Sequence, residues 1–195
     1  MGRRADREGF PHVGAGVGGW LAMLARLTDA RRVFEFGSGF GYSAYWFARE
    51  LPPEGEVVLT EIDAGELDAA REYFARGDLT DRARFEEGDA IEIVDRYEGP
   101  FDVVLIDCQK TRYAEALEAV RGKVAPGGVV VADNAVTAGI VDFEDLLAYF
   151  EEASVAMNDS TRGIADYLDA VRADPEFETA LLPLGEGLAV SHRRP

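Results

Sequence analysis

The sequence predicts an α/β fold, a doubly wound and mostly parallel sheet with helices on both faces, on three observations. Short β-branched runs alternate with longer segments of helical period, and strictly alternating β and α units build a parallel sheet. The runs in VVLIDC and VVVAD are apolar along their length, as strands covered on both faces are. The tail breaks the alternation with two extended runs around a short turn, which predicts a hairpin with at least one antiparallel strand.

In chain order, the predicted parallel strands are 32–36, 56–60, 83–87, 102–106 and 129–132. Between them, Leu67, Ala70 and Phe74 make one apolar stripe at helical spacing, and Tyr113, Leu117, Val120 and Val124 make another. Gly77 caps the first of these helices, and Pro126, Gly127 and Gly128 form a turn after the second. Helices follow around 143–150 and 164–171. The tail hairpin pairs 177–182 with 188–192 across Pro183, Leu184, Gly185, Glu186 and Gly187.

With 195 residues, 47% of them apolar and 10% aromatic, the chain has enough material for one domain with its own core, residues 1–195. A single cysteine, Cys108, excludes a disulfide framework and a multi-cysteine zinc site. The opening MGRRADREGF has no apolar stretch behind its arginines, and no run approaches the ~18 apolar residues of a membrane span. A cytoplasmic protein is expected. The 37 acidic against 20 basic side chains give a net charge of −17, which repels phosphate backbones and anionic lipid and argues against nucleic-acid and membrane partners. Of the basic residues only Lys110 and Lys123 are lysines. Many carboxylates with almost no lysine fit a salty cytoplasm, as in a halophile. A GC-rich genome is the other account of the missing lysines.

Ligands of open α/β sheets lie outside the carboxyl ends of the strands. Those ends carry Glu35 with Gly37, then Glu61, Asp89, Asp107, and Asp133 with Asn134. Each acid alone could be a helix cap or a loop carboxylate. Five at one edge repel one another unless cations join them. The loop Gly37-Ser38-Gly39-Phe40-Gly41-Tyr42 is spaced GxGxG, whereas a dinucleotide fingerprint needs glycine where Tyr42 stands. Such a loop suits a nucleoside without a pyrophosphate, and Glu61, 20 residues beyond Gly41, is placed to accept hydrogen bonds from ribose hydroxyls. Asp107, Asp133 and Asn134 offer only oxygen ligands, which suits a hard cation such as Mg²⁺. Lys110, three residues after Asp107, is the candidate general base, since a nearby divalent cation lowers an amine's pKa. His12 and His192 lie near the termini and are expected at the surface.

Together EFGSGFGYSA, TEID, GDA, IDCQK, GGVVVADN and PLGEGLAVS resemble class I S-adenosylmethionine methyltransferases, in particular the cation-dependent O-methyltransferases related to catechol and caffeoyl-CoA O-methyltransferases. The resemblance runs from about Gly14 to Arg193. It implies a Rossmann-like sheet of seven strands, the last antiparallel, and often a homodimer. By the same resemblance, Glu35, Gly37 and Ser43 hold the methionine end of S-adenosylmethionine, Glu61 the ribose, and Asp89 with Ala90 the adenine. Asp107, Asp133 and Asn134 bind a divalent cation, Lys110 is the base, and the acceptor is a small molecule with a hydroxyl group. The chain departs from the pattern at Val17, where many relatives are acidic, and at Ala135, Val136 and Thr137, where they are often bulky. Two other readings stand beside this one: an NAD(P)-binding Rossmann oxidoreductase, and a nucleoside-binding module without catalysis.

Overall fold

Seven strands form one sheet in the order β3-β2-β1-β4-β5-β7-β6. They are β1 (Arg32–Phe36), β2 (Glu56–Glu61), β3 (Ala83–Glu87), β4 (Phe101–Ile106), β5 (Val124–Ala132), β6 (Phe177–Leu182) and β7 (Leu188–Arg193). The first five are mutually parallel, β7 runs antiparallel to β5, and β6 antiparallel to β7. The computed structural model describes residues 1–151 and 154–195. Eight α-helices accompany the strands among these residues: α1 (Gly2–Glu8), α2 (Gly14–Leu27), α3 (Tyr42–Ala48), α4 (Ala64–Arg76), α5 (Ala90–Val94), α6 (Tyr113–Val120), α7 (Phe143–Phe150) and α8 (Asp159–Ala173). No helix among them is long and apolar enough to cross a membrane.

Period-two alternation along the central strands feeds two cores. Val33, Val57, Leu59, Val103 and Leu105 pack with Leu21 of α2, Phe47 of α3, and Leu67 and Phe74 of α4. Their neighbours Phe34, Phe36, Val104 and Ile106 turn the other way, onto Tyr113 and Leu117 of α6 and Ile164, Tyr167 and Leu168 of α8. Both faces of β1 and β4 are therefore buried, which accounts for their unbroken apolar runs. Strand order reverses between β1, paired to β2 on one side and to β4 on the other. This is where an open α/β sheet leaves a crevice.

Four loop side chains set the helix starts: Asp63, Asp89, Asp142 and Asn158 accept backbone N–H groups of the first turns of α4, α5, α7 and α8. Two local expectations are corrected. Val124 opens β5 rather than closing α6, and Pro126, Gly127 and Gly128 lie inside β5 instead of in a turn before it. The register on β4 jumps from Phe101↔Val124 to Val103↔Val129, so the extra residues are absorbed as an irregular bulge, where glycine is at home.

Candidate active site

A cavity of about 820 Å³ opens at the carboxyl ends of β1, β2, β4 and β5. Gly37, Ser43, Glu61, Asp89, Ala90, Asp107, Lys110, Asp133 and Asn134 all line it. Glu35 does not reach the wall. Its carboxyl is fully buried on β1 and accepts the hydroxyl of Ser43, which does line the cavity.

The loop after β1 brings its backbone close to β4. Gly37 has φ 82°, and a Cβ there would lie 2.4 Å from the carbonyl oxygen of Asp107, so only glycine fits. Glu61 fastens the loop from the side: one carboxylate oxygen accepts Gly39 N–H at 2.8 Å, the other Ile62 N–H at 2.8 Å and Asp63 N–H at 3.0 Å. A carboxylate has about four acceptor positions, so Glu61 keeps capacity for a hydroxyl of a bound ligand. Asp89 serves α5 with one oxygen and the Arg112 guanidinium, at 2.5 Å, with the other. The bond to Arg112 holds its carboxyl below the usual carboxylate range. Its side chain is thus a cap and an ion-pair partner at the cavity wall.

Under this wall, the second oxygen of Glu35 is buried with no hydrogen-bond partner. Burial pushes the carboxyl from its ordinary 4.5 up to about 8, the Ser43 bond opposing the shift and the charges of Asp107 and Glu61 adding to it. A glycine-loop wall lined by the carboxylates of Glu61 and Asp107, with a third acid buried behind it, suits a ligand that brings positive charge. S-Adenosylmethionine, with its ammonium and sulfonium, fits that demand.

At the other end the side chains bond to one another. The Lys110 ammonium donates to Asp107 Oδ1 at 3.2 Å, to the Tyr113 hydroxyl at 2.7 Å and to Asn134 Oδ1 at 2.5 Å. Three donors meet three acceptors. The Tyr113 hydroxyl in turn donates a hydrogen bond to the backbone carbonyl of Asp133 at 3.0 Å. Asp133 is 4% exposed, and its carboxyl is raised first by burial and then by the charge of Asp107, with a smaller push from Glu186. Among the described residues no group of three or more His, Cys, Asp or Glu is placed to hold a metal ion. The candidate set here is two carboxylates and an amide oxygen. Two carboxylates and an amide oxygen gathered around a positive charge form an all-oxygen set that fits a hard divalent cation.

The structure brings together every residue singled out at the strand ends, with Glu35 beneath the wall. It also adds residues. Tyr113, expected only as part of an apolar stripe, supports Lys110. Arg112 engages Asp89. Glu186, in the tail hairpin, accepts the Asn134 amide at 2.5 Å. His12 is corrected: it lines the cavity and meets Tyr42 edge-on at 4.7 Å, while Phe10 meets Phe40 at 4.8 Å, so the segment after α1 covers part of the site. His192 is exposed as expected. Cys108 lines the cavity too, but burial pushes its thiol up to about 11, which makes it a poor nucleophile.

Comparison with known proteins agrees with this architecture. A catechol O-methyltransferase of Niastella koreensis is 35% identical over 128 residues, covering 64% of this chain and 58% of that protein. Caffeoyl-CoA O-methyltransferase 2 of Petunia hybrida is 25% identical over 191 residues, covering 92% of this chain and 75% of its own length. The chain therefore spans less than two thirds of the first relative and three quarters of the second. Among solved structures, an O-methyltransferase from Bacillus cereus, in complex with S-adenosylhomocysteine, superposes with a TM-score of 0.85 at 25% identity, over 98% of this chain and 88% of that one. The family model described as O-methyltransferase matches residues 9–194, and the chain belongs to that O-methyltransferase family.

Proposed function

We propose that residues 1–195 form one S-adenosylmethionine-dependent O-methyltransferase domain that methylates a hydroxyl of a small, catechol-like phenol with the help of a divalent cation such as Mg²⁺. The observation that carries the reading is the meeting, in one cavity, of a glycine-lined wall braced by Glu61 with the oxygen set of Asp107, Asp133 and Asn134 around Lys110. Bound S-adenosylmethionine supplies a methyl group on a sulfonium, and a bound divalent cation supplies positive charge for two adjacent acceptor oxygens.

The remaining work falls to the chain. Gly37 and Ser43, with Glu35 behind them, hold the methionine end, Glu61 accepts ribose hydroxyls, and Asp89 with Ala90 flanks the adenine. Asp107, Asp133 and Asn134 hold the cation. Lys110 as a free amine takes the proton from the acceptor hydroxyl, and the acceptor oxygen bonds to the methyl carbon as the carbon–sulfur bond breaks, its electron pair staying on sulfur. The ammonium so formed has three acceptors within reach, Asp107 Oδ1, the Tyr113 hydroxyl and Asn134 Oδ1. Alignment of nucleophile, methyl and sulfur in one cavity provides the rest of the acceleration.

Calorimetric titration with S-adenosylmethionine and with NAD separates this reading from an oxidoreductase; binding of NAD alone would overturn it. Turnover of a panel of phenols, with and without EDTA, separates it from a nucleoside-binding module. Methylation that persists in excess EDTA would remove the cation and leave the transferase. The reading includes a cytoplasmic location, no nucleic-acid or membrane partner, a homodimer as the family resemblance implies, and adaptation to salt. Light scattering checks the dimer.

A further inference from the structure

The amide of Asn134 sits between a group that can only donate and a group that can only accept. Its Oδ1 receives the Lys110 ammonium at 2.5 Å and its Nδ2 donates to Glu186 Oε2 at 2.5 Å. An ammonium has no acceptor and an ionised carboxylate has no donor. One orientation of the amide satisfies both neighbours, and the reverse one places N–H against ammonium and oxygen against carboxylate. The backbone of Asn134 adds a second constraint, with φ 55° and its N–H on Asp133 Oδ1 at 2.8 Å.

We infer that Glu186 is a positioning residue for the cation site: from the tail hairpin it fixes the Asn134 amide so that its oxygen faces Asp107 and Lys110, whether an ammonium or a divalent cation stands there. The inference rests on the proposed cation site and extends it to a part of the chain 52 residues away. The hairpin is built to hold this position. The carbonyl of Gly187 accepts Ala135 N–H at 2.8 Å, and that of Glu186 accepts Thr137 N–H at 2.9 Å and Val136 N–H at 3.3 Å. Gly187 has φ 91°, and a Cβ there would lie 2.4 Å from side-chain atoms of Val136, so turn and loop meet at backbone distance. These bonds are made by the main chain of residues 186 and 187, and they remain when the side chain of residue 186 is changed.

Glu186→Ala removes the acceptor, whereas Glu186→Gln keeps a carbonyl oxygen for Asn134 and discards the charge. The probe is Mn²⁺ alone, titrated by calorimetry into the wild type, both Glu186 variants and Asp133→Ala, with S-adenosylhomocysteine titrated in parallel. Partners behind metal ligands are worth about 10- to 100-fold in affinity. Glu186→Ala is expected to weaken Mn²⁺ by about 10-fold or more, Glu186→Gln to stay within about 3-fold of wild type, and both to bind S-adenosylhomocysteine as wild type does. A wild type that binds no Mn²⁺, or binding that Asp133→Ala leaves intact, overturns the cation site and the inference with it. Binding that needs Asp133 and ignores Glu186→Ala overturns the inference alone. Equal losses in Ala and Gln variants also overturn it, since they assign Glu186 to bulk negative charge.

Discussion

Glu61 and Asp107, at the two ends of the cavity, use their carboxylates in opposite ways. At the end walled by the glycine loop, Glu61 spends its hydrogen bonds on the main chain: Gly39, Ile62 and Asp63. At the other end Asp107, Asn134 and Glu186 bond to side chains, through the single ammonium of Lys110 and the amide between. A carboxylate that holds backbone sets the shape of a binding surface. Groups joined through one ammonium make a site whose charge can be exchanged, which is what the proposed proton transfer beside a divalent cation requires.

The sharpest way to break this contrast is to remove the cation of the second end. Lys110→Met keeps an unbranched chain, shorter by the one terminal atom, and discards the ammonium. It is expected to lower the methylation rate by ~10²- to 10⁴-fold, the range of a lost general base, with S-adenosylmethionine affinity unchanged. Single-turnover kinetics with calorimetry would check both. Near-complete turnover at neutral pH would reduce Lys110 to a brace between Asp107 and Asn134.

The reciprocal change is made at the first end. Glu61→Ala takes away the proposed acceptor for ribose hydroxyls and the brace of the Gly39 loop, and should weaken S-adenosylmethionine by ~1.5 to 3 kcal/mol, as for hydrogen bonds to a charged group. Mn²⁺ binding should be untouched, since Glu61 serves the other end. A dissociation constant equal to wild type would remove Glu61 from the ligand's surroundings. Loss of both ligands would show that the two ends are one cooperative unit and end the contrast.

Glu35 belongs to neither pattern, being buried below the first end with an oxygen unpaired. Its carboxyl is raised from 4.5 to about 8, so between those values the native state binds a proton that the unfolded chain has released. Stability therefore falls as pH rises through that window. Below it the penalty is absent, and above it complete. Glu35→Gln keeps the acceptor for Ser43 and cannot ionise, so its advantage over wild type should grow from pH 4.5 to 8 and then level off. A tenfold change in proton affinity is worth about 1.4 kcal/mol, and relaxation of the loop brings the expected difference at pH 8 to roughly 1–2 kcal/mol. Asp133 titrates in the same direction but is present in both proteins. Urea melts at several pH values would check this, and a constant difference would mean that Glu35 keeps its proton affinity near that of an ordinary carboxylate.

How much of this was legible in the sequence depended on whether the signal was local. Strands such as 32–36, 83–87 and 177–182 were bounded correctly because apolar runs and turn residues lie side by side. The strand-end acids could be placed because topology alone brings successive parallel strands to one edge. Pro126, Gly127 and Gly128 carry turn chemistry, yet they lie inside β5, between the positions Val124 and Val129 that pair with β4. Glu186 was visible only as part of a hairpin turn, since its partner Asn134 is 52 residues away. Tyr113 has the spacing of a core residue, and its ring is one; only the structure shows where its hydroxyl ends. His12 looked like a terminal surface residue because nothing in the sequence tells that its segment folds back over the cavity.

The carboxylates outside both ends are the largest group of all, and their effect on stability should be the smallest per residue. With a net charge of −17, self-repulsion destabilises the folded state at low ionic strength, where the Debye length is ~30 Å at 0.01 M. The surface arginine pairs, such as Arg26–Glu50 and Arg31–Glu54, contribute little and lose strength as salt rises. Screening of the net charge outweighs that loss, so the melting temperature should rise with salt. Ordinary screening is nearly complete by a few tenths molar, when the Debye length is well under ~10 Å. A surface adapted to salt keeps gaining into the molar range, through hydrated cations held by carboxylates and stronger apolar burial. Thermal melts from 0.05 to 3 M KCl, repeated in NaCl, are expected to show that continued rise. A plateau below about 0.5 M would leave screening as the whole effect, and would return the scarcity of lysine to genome composition, leaving Lys110 notable for its position between Asp107 and Asn134 alone.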